Sequence, residues 1–171
     1  SVFRNCANVG KTVDGVKKSI TVSSKSQKET GEDKTGFVGG ILGYGSAAVE
    51  FYNCVNDASI TINASAYQTG GIAGAIYKAT RYFDGCVNTQ NGDIIYAMGI
   101  AGTMRGIAGI LGYSYNEDGT NGKYTTIKNC QNDGDITQTD DVGNTIMMGG
   151  IVGRVESTGT NSTGDNAAEG K

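Results

Sequence analysis

Phe51-Tyr-Asn-Cys-Val-Asn56 is one of four segments with a shared pattern, and its recurrence decides the fold. The others are Phe3-Arg-Asn-Cys-Ala-Asn8, Phe83-Asp-Gly-Cys-Val-Asn88 and Ile127-Lys-Asn-Cys-Gln-Asn132. Each reads apolar-x-Asn/Gly-Cys-x-Asn, and the four cysteines of the chain (Cys6, Cys54, Cys86, Cys130) all fall at one repeat position. A Gly-rich motif alternates with the first: Gly39-Gly-Ile-Leu-Gly43, Gly70-Gly-Ile-Ala-Gly74, Gly109-Ile-Leu-Gly112 and Gly149-Gly-Ile-Val-Gly153, with an additional copy at Gly99-Ile-Ala-Gly102. A third element follows each Cys motif: Ser19-Ile-Thr-Val, Ser59-Ile-Thr-Ile, Asp93-Ile-Ile-Tyr and Asp135-Ile-Thr-Gln. A fixed order of elements, repeated four times, is the signature of a repeat architecture.

The repeats read as short strands. Ile60-Thr-Ile, Ile20-Thr-Val and Ile136-Thr-Gln alternate apolar and polar with period 2. No apolar spacing of 3.6 residues persists without a Gly interruption. The expectation is an all-β chain: a right-handed parallel β-helix or β-solenoid of about four irregular coils, each of about three strands, with loop insertions. Ile and Val turn inward, and Thr21, Thr61 and Thr137 outward. The cysteines are expected to form a column of free thiols acting as small hydrophobes, with two disulfides in one of three connectivities as the alternative, and Asn8, Asn56, Asn88 and Asn132 to form a ladder of side-chain amides. A stack of four coils stands roughly 20 Å tall and leaves strand edges unpaired at both ends. Residues 1–156 make one domain, and 157–171 a polar tail or linker. The polar stretches Lys11–Lys18, Ser24–Lys34, Tyr115–Lys123 and Gln138–Asn144 are expected to be loops.

Composition fits this scheme. The 171 residues include 28 Gly, no Pro, no Trp and no His, with 14 Lys plus Arg against 17 Asp plus Glu. Pro is excluded where every strand must donate its N–H to a neighbour. Without His there is no Ser-His-Asp or Cys-His nucleophile system and no His-containing zinc site. A net charge of -3 with dispersed basic residues argues against a nucleic-acid partner. No apolar run approaches the roughly 20 residues of a membrane helix, so direct membrane insertion is not expected. The N-terminal stretch SVFRNCANVG has no leader pattern. The expected alternatives are a mature form, an excised fragment or a cytoplasmic protein, and the start inside a repeat favours a fragment.

The Gly-Gly-Ile-Leu/Ala/Val-Gly motif together with Asn-Cys-x-Asn resembles the GLUG-type repeats of large bacterial surface proteins, over about Val2 to Val155. The resemblance implies a β-solenoid, secreted or cell-surface placement, and adhesive or spacer duty within a longer polypeptide.

Several motifs invite chemistry. Asn5-Cys-Ala-Asn-Val-Gly-Lys-Thr12 departs from a phosphate-binding loop at its first position, and no helix pattern follows it. Asn116–Gly122 and Asp140-Asp141 offer oxygen ligands for weak Ca2+ binding, without EF-hand spacing. No other cofactor or metal site is expected. Asn63-Ala-Ser and Asn161-Ser-Thr match glycosylation sequons. Glycoside cleavage needs two opposed carboxylates. Asp57 with Asp133, and Asp93 with Asp135, occupy matching repeat positions, but duplication alone produces such pairs. The Thr row is broken at Ile95, which weakens a flat-surface or ice-binding role. Nine Tyr are present, and Tyr44, Tyr113 and Tyr115 beside the Gly motifs are the candidate ligand surface, for sugar rings or a protein partner. The expected function is a non-catalytic extracellular surface module: an adhesin segment, a structural spacer or a filament component. Its partners would be host or matrix glycans or proteins, or neighbouring modules of the same assembly. The alternative is a carbohydrate-active enzyme, a polysaccharide lyase or glycoside hydrolase.

Overall fold

The computed structural model describes residues 1–22, 36–63, 66–77, 80–96, 105–116, 125–139 and 146–157. Among them there is strand and turn but no helix. Each of four repeats contributes one strand to each of five parallel sheets, and the chain visits the sheets in the same order every time. Sheet I comprises Val2–Arg4, Val49–Tyr52, Arg81–Asp84 and Thr125–Lys128. Sheet II holds the two-residue strands Ala7–Asn8, Val55–Asn56, Val87–Asn88 and Gln131–Asn132. Sheet III holds Val16–Val22, Ser59–Ile62, Ile94–Tyr96 and Ile136–Gln138. Sheet IV holds Gly36–Gly39, Ala66–Gly70, Arg105–Ala108 and Ile146–Gly149. Sheet V holds Leu42–Gly45, Ala73–Tyr77, Leu111–Asn116 and Val152–Ser157. Five strands per repeat, rather than about three, is a correction with a simple cause. Strands of two to four residues are too short to show a period, and parallel pairing to the neighbouring repeat defines them instead.

The pairing is in register, so each motif position becomes a column. Phe3, Phe51 and Phe83 stack with ring centroids 5.0 and 4.7 Å apart and nearly parallel planes. Ile127 continues their column. Asn8 donates to Asn56, Asn56 to Asn88 and Asn88 to Asn132, with N–O distances of 2.7, 2.6 and 2.7 Å. All four cysteines are free; Cys54 and Cys86 are buried, Cys6 and Cys130 half-buried. The position before each Cys is left-handed in every repeat: φ is 53° at Asn5, 51° at Asn53, 64° at Gly85 and 51° at Asn129. Gly, Asn and Asp visit that region at the lowest cost, which accounts for Asn or Gly at this motif position.

The strands of one repeat do not close a ring around a single core. One apolar cluster lies between sheets III and IV: Ile60, Ile62, Ile94, Tyr96 and Ile107, with Val38 and Ile146. The other lies between sheets I and V, around Phe51, Phe83, Cys54, Cys86 and Leu111, and includes the corner residues Ile72 and Ile110. Sheets IV and V meet through glycine. A Cβ on Gly74 would come within 2.6 Å of the Val38 and Gly43 carbonyl oxygens. The Gly-Gly corner between these sheets faces the amide ladder, since a Cβ on Gly71 would lie 2.7 Å from Asn88 Oδ1. Close approach of backbone, more than sharp turning, is therefore what the Gly motif provides.

Lys11–Lys18 is not a loop. Lys11–Val13 pairs antiparallel with Val16–Lys18 through a two-residue turn at Asp14 and Gly15, whose φ values are 52° and 79°. Asp-Gly between strands is the preferred pair for such a hairpin turn, because both residues must take positive φ. Of the other expected loops, 24–34 and 117–123 lie outside the described residues; so do 140–144 and, apart from Ser157, the polar tail. The extra Gly99–Gly102 copy also lies outside them.

Candidate functional site

Sheet V carries four of the tyrosines, Tyr44, Tyr77, Tyr113 and Tyr115. Parallel register places Tyr44, Ala75, Tyr113 and Arg154 in one line, and Tyr77, Tyr115 and Glu156 in the next line but one. Residues two apart along a strand share a face, so these two lines form one surface. Phe37 joins it from sheet IV, 5.0 Å from Tyr44 and 5.8 Å from Tyr77. Tyr77 is the hub: its ring lies 5.3 Å from Tyr44, 5.2 Å from Tyr113 and 5.4 Å from Tyr115. These tilted and edge-on contacts are the favoured aromatic geometries.

The members differ in access. Tyr44 is 46% exposed, whereas Tyr113 is 4% exposed. Tyr77 and Tyr115 are half-buried. Of the three tyrosines singled out from sequence, Tyr44 and Tyr115 thus present ring surface, and Tyr113 lies beneath as support. The Tyr113 hydroxyl donates to Glu156 Oε2 at 2.7 Å, and Arg154 Nη2 donates to the same oxygen at 2.5 Å. The Arg154 guanidinium also sits 5.0 Å from the Tyr113 ring centroid, within cation–π range. Burial, then the Glu156 hydrogen bond, raises the Tyr113 hydroxyl well above the usual tyrosine range; burial likewise raises Tyr77. These hydroxyls stay protonated and act as hydrogen-bond groups. Below the cluster, buried Arg81 donates to the Ile76 and Tyr115 carbonyls at 3.2 and 2.5 Å. It ties the strands carrying Tyr77 and Tyr115 to sheet I.

Sequence reasoning missed Tyr77, Phe37, Arg154 and Glu156. Tyr77 follows its Gly motif at the same distance as Tyr115 follows its own, and that equivalence was the available signal.

The matched carboxylates Asp57, Asp133 and Asp93 each accept hydrogen bonds. Asp57 pairs with Lys17 and accepts from Thr89 Oγ1 at 2.6 Å and Asn91 Nδ2 at 2.9 Å. Lys17 first, then Thr89 and Asn91, holds its carboxyl down at about 2. Asp133 lies two repeats further on and accepts from Gln131 at 2.8 Å. Asp93 Oδ1 accepts the Asp135 backbone N–H at 3.0 Å. The phosphate-loop-like stretch is consumed by strands: Ala7–Asn8 in sheet II and Lys11–Val13 in the hairpin. Thr21, Thr61, Ile95 and Thr137 do form one row, with Ile95 interrupting it. Among the described residues no three Cys, Asp or Glu side chains cluster as metal ligands. Asp140-Asp141, residues 117–122 and Asn161 fall outside the described residues, while Asn63 is exposed at the end of a described segment.

Comparison with protein-family models, with curated proteins and with solved structures finds no match for this chain. What is shown is the class: an all-β protein built of parallel, in-register sheets.

Proposed function

We propose that this chain is a non-catalytic extracellular module of a larger bacterial surface protein, an adhesin segment or a structural spacer or filament component. In this proposal the fold is a folded-over relative of the β-solenoid, wound in the right-handed sense usual for parallel crossovers. One observation carries the functional part: the repeated residues are used up in contacts between repeats. The Phe column stacks, the Asn column bonds along itself, the Cys column packs, and the Gly columns let sheets IV and V touch. Among the residues that break the repeat pattern are those of the tyrosine cluster, where Tyr44, Tyr77 and Tyr115 offer flat apolar faces edged by hydroxyls. That combination suits sugar rings or a protein surface. The motif resemblance to GLUG-type repeats supports the surface placement, and the engagement of Asp57 by Lys17 supports a non-catalytic role.

The test is a glycan-array experiment on the 171-residue chain beside its Tyr44→Ala and Tyr77→Ala variants. Binding that both substitutions abolish establishes the adhesin reading. A blank array leaves the spacer or filament reading. Time-dependent release of reducing or unsaturated sugar ends from a polysaccharide panel would overturn the non-catalytic proposal.

A further inference from the structure

The first and last repeats are built like the inner ones, and among the described residues each has a paired neighbour on one side only. Met148 is 50% exposed, yet its column mates Thr69 and Ile107 are both at 0%. Val155 is 43% exposed, while Ile76 and Ser114 in the same column are at 0%. All six large hydrophobic residues exposed among the described residues belong to the first or last repeat: Val2, Val9, Val13, Tyr44, Met148 and Val155. Met148 and Val155 are therefore uncovered at positions whose column mates in the inner repeats are enclosed.

The amide ladder gives the stack a direction. Asn88 and Asn132 each donate Nδ2 to a backbone carbonyl, of Gly92 and Gly134 respectively, and a carbonyl can only accept. That fixes every amide with its N–H toward the last repeat. The first repeat therefore ends on Asn8 Oδ1, which no donor among the described residues reaches, and the last on an Asn132 amide with a second N–H to give.

We infer that the last repeat of one copy docks on the first repeat of another, head to tail, extending the five sheets and the amide ladder across the junction. The inference rests on the module reading above and names its partner. In this orientation Asn132 Nδ2 meets Asn8 Oδ1, and Met148 covers Val38 as Ile107 covers Thr69. The opposite pairings set acceptor against acceptor, or donor against donor, and reverse the strands. Charge agrees on one side: the exposed Asp133 and Asp135 follow Asn132, and the exposed Lys11 and Lys18 follow Asn8. The hairpin strand Lys11–Val13 pairs with Val16–Lys18 and leaves the outer edge of Ile20–Val22 for the incoming Ile136–Gln138. Arg4 meeting Lys128 is the one like-charge contact in register.

Sedimentation velocity across a concentration series, at low and moderate salt, is the first measurement. Mixed 14N- and 15N-labelled chains are then treated with a short bis-maleimide, and linked peptides are identified by mass. Cys6 and Cys130 are the half-buried thiols at opposite ends, three strand spacings or roughly 14 Å apart within one chain. Self-association with mixed-isotope Cys6–Cys130 links is the expected result. Met148→Lys, at an exposed position that leaves the monomer folded by circular dichroism, weakens association at least about tenfold. A chain that stays monomeric to millimolar concentration overturns the inference, as do mixed-isotope links of Cys130–Cys130 or Cys6–Cys6 only. A blank glycan array would not touch this outcome, and glycan binding by a strict monomer would sink the stacking while sparing the adhesin reading.

Discussion

Asn88→Ala is the substitution that weighs the amide ladder most directly. Asn88 is fully buried, and its amide makes three bonds: it accepts from Asn56 Nδ2 at 2.6 Å and donates to Asn132 Oδ1 at 2.7 Å and to the Gly92 carbonyl at 2.9 Å. Truncation strands all three partners. Asn132 is half-buried and regains water, but Asn56 and the Gly92 carbonyl are enclosed. A buried group left without its partner costs about 1–3 kcal/mol. Two such groups, offset in part because the Asn88 amide no longer has to be desolvated, make the expected loss about 3–4 kcal/mol. For a chain of this size that lowers Tm by roughly 10 °C, at about 2–4 °C per kcal/mol. Asn8→Ala is the internal control, because half-buried Asn8 bonds only Ser19 and Asn56 among the described residues, at 2.7 Å each. Its loss is expected near 1 kcal/mol. Denaturant unfolding followed by far-ultraviolet circular dichroism reads both, since no Trp is present. Equal losses at the two positions, or less than about 1 kcal/mol at Asn88, would refute the ladder as a source of stability.

Four further outcomes follow from particular contacts. Gly74→Ala forces a methyl against two backbone oxygens that cannot move independently, so it should cost about 3 kcal/mol or prevent folding. Gly15→Ala, with open space but a φ of 79°, should cost only about 1 kcal/mol by thermal melts. Asp57 titrates at about 2 when folded and near 3.9 when unfolded, so its contribution is present above pH 4 and is lost as pH falls toward 2. Asp57→Asn should flatten the Tm-versus-pH curve in that window, and an unchanged slope would remove the Lys17 pairing from the account. Burial pushes the Cys54 thiol up to about 11, and the Cys130 thiol and burial raise Cys86. A thiol reagent should therefore modify Cys6 and Cys130 quickly in the native protein and all four only in denaturant; four fast thiols would contradict the buried column.

The columns were legible in the sequence because in-register stacking places like over like. An amide bonds its own kind, a phenyl ring stacks on its own kind, and the position before Cys carries Asn or Gly, residues that accept its positive φ. The number of strands was not legible, since a strand of two residues such as Ala7–Asn8 has no period to read. The hairpin at Lys11–Lys18 carried its Asp14-Gly15 turn in plain view, but polar composition outweighed it. Gly74 and its column mates are needed because two sheets touch there, not to turn the chain. That contact lies between strands whose pairing partners sit 30 to 40 residues away, beyond any local pattern.

Repetition also limits what residue pattern can say about function. A residue that recurs at every repeat position is explained by its neighbours above and below, so matched pairs such as Asp93 and Asp135 carry no functional weight. The informative positions are those where a column changes character. Val49, Arg81 and Thr125 share one column, and the arginine in the middle is buried with its guanidinium on the Ile76 and Tyr115 carbonyls. Tyr44, Ala75, Tyr113 and Arg154 share another, where the methyl of Ala75 replaces a ring between two tyrosines and Tyr77 leans into contact with both. Both departures converge on one patch of sheet V. Burying an arginine costs free energy that a valine at the same position would not, and here the guanidinium fixes the strands that hold Tyr77 and Tyr115. Stacking alone requires neither substitution, which is why Tyr44, Tyr77 and Tyr115 are the side chains to change first in a search for a ligand.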